Sequence, residues 1–226
     1  MIYLHHMYGD EMKLEFWIDY NNPICYKQHK VLEAFFKKHS FDDLELLYRN
    51  YEMIPNFQPS ELCTFYELMS KHYVATLDEV KAMYPNLTDD FRPVSVYDAH
   101  RLSHLAKKED CAFLYHQALF DAYYDKKQDI SDHHILIEIA KKAGLSEAKT
   151  IEVLSSNLYR DQVNQNRENA ILKGIFELPH MRIDGKLKLS GFHDEQELYL
   201  HLKLISNHMN KHEHCEDGNC DRKKTR

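Results

Sequence analysis

The residues best suited to do chemistry form a short turn between a strand-like run and an amphipathic helix. The turn reads Asn22-Pro23-Ile24-Cys25. Two cysteines separated by two residues at the start of a helix exchange disulfides, because the helix N-terminus lowers the pKa of the first thiol and the second thiol resolves the mixed disulfide. Asparagine holds the first position here, and it cannot attack a sulfur atom. The spacing therefore indicates half of a dithiol site.

Two interpretations of each half-site residue stay open. Cys25 keeps the resolving position and could form a mixed disulfide with glutathione or a protein, but it needs another thiol to complete a dithiol cycle. Free cysteine is also common in protein interiors, so Cys25 could simply fill the core. Asn22 is among the best helix N-caps, worth about 1 kcal/mol, and could simply hold the turn.

A second pair of cysteines, Cys215 and Cys220, lies near the C-terminus. Asp217-Gly218 between them is a turn dipeptide, so the two sulfurs could close a small ring that exchanges with Cys25. Metal binding competes with this interpretation, because neighbouring histidines add ligands suited to zinc or copper. The spacing matches no standard zinc finger, and we predict no metal site.

The elements around the half-site follow from hydrophobic patterning. Residues 13–19 carry apolar groups on both faces, as a central strand does. Residues 23–38 form one apolar stripe after a proline suited to a first helical position, and residues 44–53 return to a strand. A strand, helix and strand of this length predict a parallel pair with a right-handed crossover.

A helical segment interrupts this pattern before it resumes. From Ser60 the period changes to 3.6 for roughly a hundred residues. Asp184-Gly185 then predicts a hairpin, and Asp194 with Glu197 caps a last helix. This order predicts an α/β, thioredoxin-like fold with an inserted all-helical domain. The predicted parts are an extension (1–11), the thioredoxin-like domain (12–58 and 166–208), the insert (59–165) and a His/Cys-rich tail (209–226).

Composition limits the function classes. The chain has 226 residues, 43% of them hydrophobic, with a formal charge of −7. That charge argues against nucleic acid as a partner. We expect no membrane segment, since no 18-residue apolar run is present, and the N-terminus does not read as a signal peptide. The expected location is cytoplasmic, where five cysteines would be free, metal-bound or redox-active.

The chain resembles the DsbA superfamily, specifically its FrnE-like branch of predicted dithiol-disulfide isomerases, from about Lys13 to about Leu204. The segments that carry the resemblance are DAHRLSHLAKKE (98–109), LFDAYYDKKQDISDHHILIEIAKKAGL (119–145), LPHMRIDG (178–185) and SG (190–191). Members of this branch typically read Cys-Pro-Trp-Cys where this chain has a degenerate Asn22-Pro23-Ile24-Cys25. Some also end in a pair of cysteines with the spacing of Cys215 and Cys220.

The resemblance implies a site as well as a fold. Pro179 is implied to be a cis-proline facing the turn, and the backbone at Leu178 would offer an edge to a peptide or glutathione. The implied activity is that of a thiol-disulfide oxidoreductase or isomerase, made atypical by Asn22 and using Cys25 with Cys215 and Cys220. Its partner would be a thiol-containing protein or peptide, or glutathione as a co-substrate, with no resident cofactor.

Two alternatives to disulfide chemistry stay open. One is a non-catalytic adaptor that keeps the peptide groove and has lost the attacking thiol. The other is a glutathione-dependent isomerase or transferase, because related thioredoxin-fold branches use a residue other than cysteine at the position of Asn22. An asparagine amide could donate to a glutathione thiolate, although it lacks a hydroxyl.

Overall fold

The computed structural model of the protein describes residues 12–41, 44–55, 57, 64–73, 76–83 and 92–213. The predicted extension, Cys63, Cys215 and Cys220 lie outside these residues. The strands are β1 (Met12–Ile18), β2 (Leu44–Asn50), β3 (His180–Ile183) and β4 (Leu187–Ser190). They form one four-stranded sheet in the order β2-β1-β3-β4.

Helices make up most of the rest of the described chain. They are α1 (Pro23–Lys38), α2 (Phe65–Tyr73), α3 (Leu77–Met83), α4 (Tyr97–Lys108), α5 (Ala112–Phe120), α6 (His133–Lys142), α7 (Glu147–Ser155), α8 (Arg160–Leu172) and α9 (Glu195–Glu213). A π-helical turn (Asp121–Asp125) continues α5. Helices α2 to α8 form the insert between β2 and β3, which confirms the predicted thioredoxin-like fold with a helical insertion.

The position of β1 in the middle of the sheet explains its composition. It pairs in parallel with β2, through the crossover helix α1, and antiparallel with β3. Phe16 and Trp17 point to opposite faces, and both are buried. Apolar residues on both faces therefore predict this strand correctly, because helices cover the sheet on two sides.

The second half of the sheet is a hairpin. Asp184 and Gly185 have φ values of 50° and 64°, the positive-φ pair of a hairpin turn, which the N–H of Lys186 closes on the carbonyl of Ile183. Because Ile183 pairs with Leu187, three residues separate the two strands. The predicted hairpin is confirmed. After it, the backbone N–H of Glu197 donates to Asp194 at 2.9 Å, and the N–H of Asp194 donates back to Glu197 at 3.2 Å. These reciprocal bonds form a capping box, which fixes the start of α9.

Two predicted boundaries differ from the observed elements. Residues 165 and 166, where the insert was predicted to end, lie inside α8, which has no glycine or proline to interrupt it and contacts both α4 and β2. The insert therefore continues to Leu172. Helix α9 reaches Glu213, so residues 209–213 are helical although they were predicted as tail. Apolar periodicity does not reveal this last turn, because the stripe ends at Ile205.

Histidines fill much of the contact between the thioredoxin-like domain and the insert. His29 shares a hydrogen bond with the Tyr48 hydroxyl at 3.0 Å, and His116 shares one with the Tyr20 hydroxyl at 2.9 Å. His100 stacks on the Tyr20 ring, and neither of its ring nitrogens has a partner among the described residues. All three histidines are completely buried. Burial lowers the pKa of His29 and His100 to about 3, so this cluster is neutral at pH 7.

Candidate functional site

The candidate site lies where three strands meet at one edge of the sheet. Parallel pairing brings the ends of β1 and β2 together, with Ile18 opposite Asn50. The antiparallel strand β3 begins at the same edge, where His180 pairs with Trp17. The turn that follows β1 and the loop that precedes β3 therefore face each other. This topology alone brings Asn22 close to Pro179.

Asn22 acts as the N-cap of α1. Its side-chain oxygen accepts the backbone N–H of Ile24 at 2.9 Å and that of Cys25 at 3.4 Å. Pro23 occupies the first helical position, where a missing N–H costs nothing. Asn22 therefore caps α1, and this is the first of two roles of its side chain.

The other end of the Asn22 side chain reaches the opposite loop. Its amide nitrogen donates to the carbonyl oxygen of Leu178 at 3.3 Å and lies 3.7 Å from the sulfur of Met53. The Leu178–Pro179 peptide bond is cis, as the resemblance implies. Asn22 has no exposed surface. The side chain therefore connects the helix start to the proline loop.

Cys25 lies under this turn as a core residue. Its side chain has no solvent-exposed surface and belongs to the main hydrophobic cluster. Burial raises the pKa of the Cys25 thiol well above its usual value, and the charge of Asp19 raises it too, against the opposing effect of a hydrogen bond from the Asp19 backbone. The thiol is therefore protonated near neutral pH and closed to solvent. Of the two interpretations of Cys25, the geometry favours the core residue.

Asp19 holds two segments of the site, and sequence reasoning missed it. One carboxylate oxygen accepts the N–H of Asn21 at 2.8 Å, and the other accepts the N–H of Met53 at 2.6 Å. Burial raises the pKa of Asp19 to about 6, although both hydrogen bonds oppose the rise. An aspartate directly after an apolar strand was the available signal, because a carboxylate there must find buried donors.

The π-helical turn supports the site from the insert side. The Tyr123 hydroxyl donates to the side-chain oxygen of Asn21 at 2.8 Å, and the Tyr124 hydroxyl donates to the carbonyl of Tyr20 at 2.9 Å. Insertions of this kind in helices are frequent at functional sites, because they redirect side chains. Two tyrosines of the insert thus fix the residues that precede Asn22.

Apolar surface is exposed on the approach to the proline loop. Leu172, at the end of α8, is 84% exposed, and Phe176 is 63% exposed. Lys173 between them lies over the ring of Trp17, at 5.0 Å from its centre. The segment from Leu172 to Pro179 therefore carries two exposed, large apolar side chains ahead of the cis-proline.

The remaining predicted site residues are not brought together with Cys25. Cys215 and Cys220 lie outside the described residues, so their exchange with Cys25 and the absence of a metal site in the tail stay predictions. Within the described chain no three histidines, cysteines or acidic residues are grouped as metal ligands. Cys111, at the start of α5, is free and half-buried.

The fold and site define a protein of the thioredoxin class with a helical insertion. A family model for the DSBA-like thioredoxin domain matches residues 13–203. The chain belongs to that family. The narrower assignment to a FrnE-like branch stays a prediction. A comparison with curated proteins finds no match.

Solved structures share the fold across almost the whole chain. A probable DsbA oxidoreductase from Streptomyces coelicolor is 24% identical, with a TM-score of 0.72 over 87% of this chain and 90% of that one. A thioredoxin-like oxidoreductase from Silicibacter pomeroyi is 14% identical, with a TM-score of 0.56 over 88% of each chain. A 2-hydroxychromene-2-carboxylate isomerase is 13% identical, with a TM-score of 0.59 over 91% of this chain and 100% of that one. At these identities the likeness concerns the fold.

Among the helices that the structure describes, none combines the length and the apolar composition that a bilayer crossing requires.

Proposed function

We propose that this protein binds an extended segment of a partner protein beside the cis-proline loop and does not exchange disulfides through the Asn22 turn. One observation carries the proposal. The Asn22 side chain stands at the position of the attacking thiol, and both of its ends are engaged, one with the start of α1 and the other with Leu178. The amide of Asn22 therefore holds the turn in place, at the position where disulfide exchange in this family needs a sulfur.

The chemistry of disulfide exchange supports the same conclusion. Exchange begins with a thiolate that approaches a disulfide sulfur. The amide of Asn22 has no such nucleophile, and the thiol of Cys25 is enclosed and held in its protonated form. The first step of the dithiol cycle therefore has no reactive group among the described residues of the turn.

A binding role uses groups that remain free. The backbone N–H of Leu178 donates to no described residue, and Pro179 has no N–H, so the loop offers one donor to an extended chain. Phe176 and Leu172, in the segment that leads into the loop, provide exposed apolar surface. An extended partner segment with apolar side chains fits this combination, because backbone pairing supplies affinity and the apolar groups supply selectivity.

The proposal is tested by comparing binding with turnover. Purified wild-type protein and Cys25→Ser are assayed against an array of extended peptides and in a glutathione-coupled disulfide reduction assay. We expect the same bound peptides for both proteins and no turnover for either. Turnover by the wild-type protein that disappears in Cys25→Ser or in Cys215→Ser/Cys220→Ser would overturn the proposal in favour of a thiol relay. Saturable binding of glutathione without peptide binding would favour the isomerase or transferase alternative.

A surface variant locates the binding face. Phe176→Ser removes an exposed aromatic group without disturbing the core, and we expect it to weaken peptide binding about tenfold. Ile151→Ser is the matched control, since Ile151 is 46% exposed on α7. Equal affinity of Phe176→Ser and Ile151→Ser would contradict the proposed location.

A further inference from the structure

A pocket opens between the edge strand β2 and the helical insert, with a cavity volume of about 70 Å³. Its polar lining comprises Arg49, Ser103, His104, Lys107 and Asn166, from β2, α4 and α8. Among the described residues that line it, none is acidic. The pocket shares no residue with the Asn22 site, and it lies between two structural units, where small-molecule sites are frequent.

The two permanent cations of the pocket are not fully neutralised. Arg49 directs Nε and one terminal nitrogen to Glu15, at 2.9 Å and 2.8 Å, which leaves its other terminal nitrogen available. Lys107 is exposed and forms no ion pair with any residue that the structure describes. The pocket therefore keeps an excess of positive charge.

His104 lies in the field of these cations. Its Nε2 is 3.4 Å from the side-chain nitrogen of Asn166, and its ring stacks on Tyr159. Burial, together with the smaller effects of the charges of Lys107 and Arg49, lowers the pKa of His104 to about 4. The negative charge of an anion in the pocket would act in the opposite direction and raise the pKa of His104.

We propose that this pocket binds a phosphate group, a small tetrahedral oxyanion with two negative charges. Lys107 and the free nitrogen of Arg49 donate to it. Ser103 is not a donor here, because its hydroxyl already serves Asn50 and the carbonyl of His100. The charge of Glu15 offsets that of Arg49. Lys107 and protonated His104 then balance two negative charges, so a dianion fits better than a single carboxylate.

Proton uptake by His104 makes the binding dependent on pH. The ionisable groups that face or influence His104 are Arg49 from β2, Lys107 and His100 from its own helix, His116 from α5, and Tyr159 ahead of α8. Of these groups only His104 both lines the pocket and gains charge by taking up a proton, and a bound anion raises its pKa from about 4. Affinity is therefore expected to rise as the pH falls from 8 to 6.

The test measures the thermal stability and the heat of binding of the full chain with three ligands at constant ionic strength. Sulfate serves as a dianion that does not titrate in this range, and inorganic phosphate and glycerol phosphate distinguish a free ion from a phosphomonoester. We expect saturable binding of sulfate in the millimolar range that chloride does not reproduce. Tighter binding of glycerol phosphate than of phosphate would assign the site to phosphomonoesters, and the reverse order to the free ion. No saturable binding of any of the three overturns the proposal.

Variants connect the binding to the pocket. Lys107→Met is expected to weaken sulfate binding at least fivefold, whereas Lys108→Met is the control, since Lys108 is an exposed neighbour that does not line the pocket. His104→Gln is expected to abolish the rise in affinity between pH 8 and pH 6. Equal effects of Lys107→Met and Lys108→Met, or an unchanged pH dependence in His104→Gln, would refute the assignment.

Discussion

The amide nitrogen of Asn22 lies 3.3 Å from the carbonyl oxygen of Leu178, while the oxygen of the same side chain caps α1. One neutral side chain thus joins the Asn22 turn to the cis-proline loop. A cysteine at this position would make both contacts more weakly than asparagine does, because sulfur is a weak donor and acceptor. Asparagine at this position therefore adds a structural link that a thiol would not provide.

Removing this link is expected to cost more than removing an ordinary helix cap. Asn22→Ala deletes the cap, worth about 1 kcal/mol, and leaves a buried carbonyl without its donor, which costs about 1 kcal/mol more. We expect a loss of about 2 kcal/mol in the free energy of unfolding, measured by urea denaturation.

Ser146→Ala provides the matched control. Ser146 caps α7 through the N–H of Lys149, and its side chain makes no second contact across the fold that resembles the one from Asn22 to Leu178. We expect a loss of about 1 kcal/mol or less for this exposed cap. Equal losses for Asn22→Ala and Ser146→Ala would mean that the bond to Leu178 contributes nothing.

Restoring a thiol at the first position should create disulfide activity. Asn22→Cys gives two thiols at the spacing of a redox turn, and the first would lie at the N-terminus of α1, where its pKa is lowered. We expect disulfide reduction at least tenfold above wild type in the glutathione-coupled assay. The initial rate of disulfide reduction is measured as a function of thiol concentration.

The double variant Asn22→Cys/Cys25→Ser separates the two thiols. It keeps the new thiol at the first position and removes the resolving one, so it should accumulate a mixed disulfide and turn over more slowly than Asn22→Cys. Turnover as fast as that of Asn22→Cys would show that another thiol, from glutathione or from the chain, replaces Cys25.

The burial of Cys25 predicts that its thiol is inert in the folded protein. With no exposed surface and a raised pKa, Cys25 should react with a maleimide at least a hundredfold more slowly than half-buried Cys111. Peptide mass spectrometry after timed labelling measures both rates in one sample, and labelling in urea shows that each thiol is chemically competent. Comparable native rates would contradict the core assignment of Cys25.

Elements with a local cause were predictable from the sequence. Pro23 and the apolar stripe after it define α1 with both of its ends, and Asp184-Gly185 defines the hairpin. These features depend on residues close together in the chain, where backbone sterics and periodicity decide the structure. The fold class followed from their order.

Contacts between distant segments were not predictable in the same way. The bond from Asn22 to Leu178 joins residues 156 positions apart, and the role of Asp19 depends on the N–H of Met53 in another loop. The buried stacking of His100 on Tyr20 likewise needs the insert to meet the sheet. Polar side chains of this kind look like surface residues in a sequence, because their partners are brought to them only by the fold.

The buried histidines predict acid sensitivity. His29 and His100 have pKa values of about 3 in the fold, below the usual 6.5, because burial opposes the charged form. Below pH 6.5 His29 and His100 therefore bind protons in the unfolded chain but not in the folded chain, and stability falls as the pH drops towards 3. Asp19 acts in the opposite direction between pH 4 and 6, since its pKa is raised to about 6. The histidines outnumber it, so the net effect is a loss of stability on acidification.

One histidine can be removed without removing the packing. His100→Phe keeps a ring against Tyr20 and replaces two nitrogens that have no partner among the described residues. Each proton bound only by the unfolded chain contributes about 1.4 kcal/mol per pH unit, so the slope of unfolding free energy against pH between 6 and 4.5 should decrease by about that amount. His133→Gln is the control, because His133 lies at the surface beside Asp98. An unchanged slope in His100→Phe, measured by urea denaturation across this range, would show that His100 is already protonated in the fold.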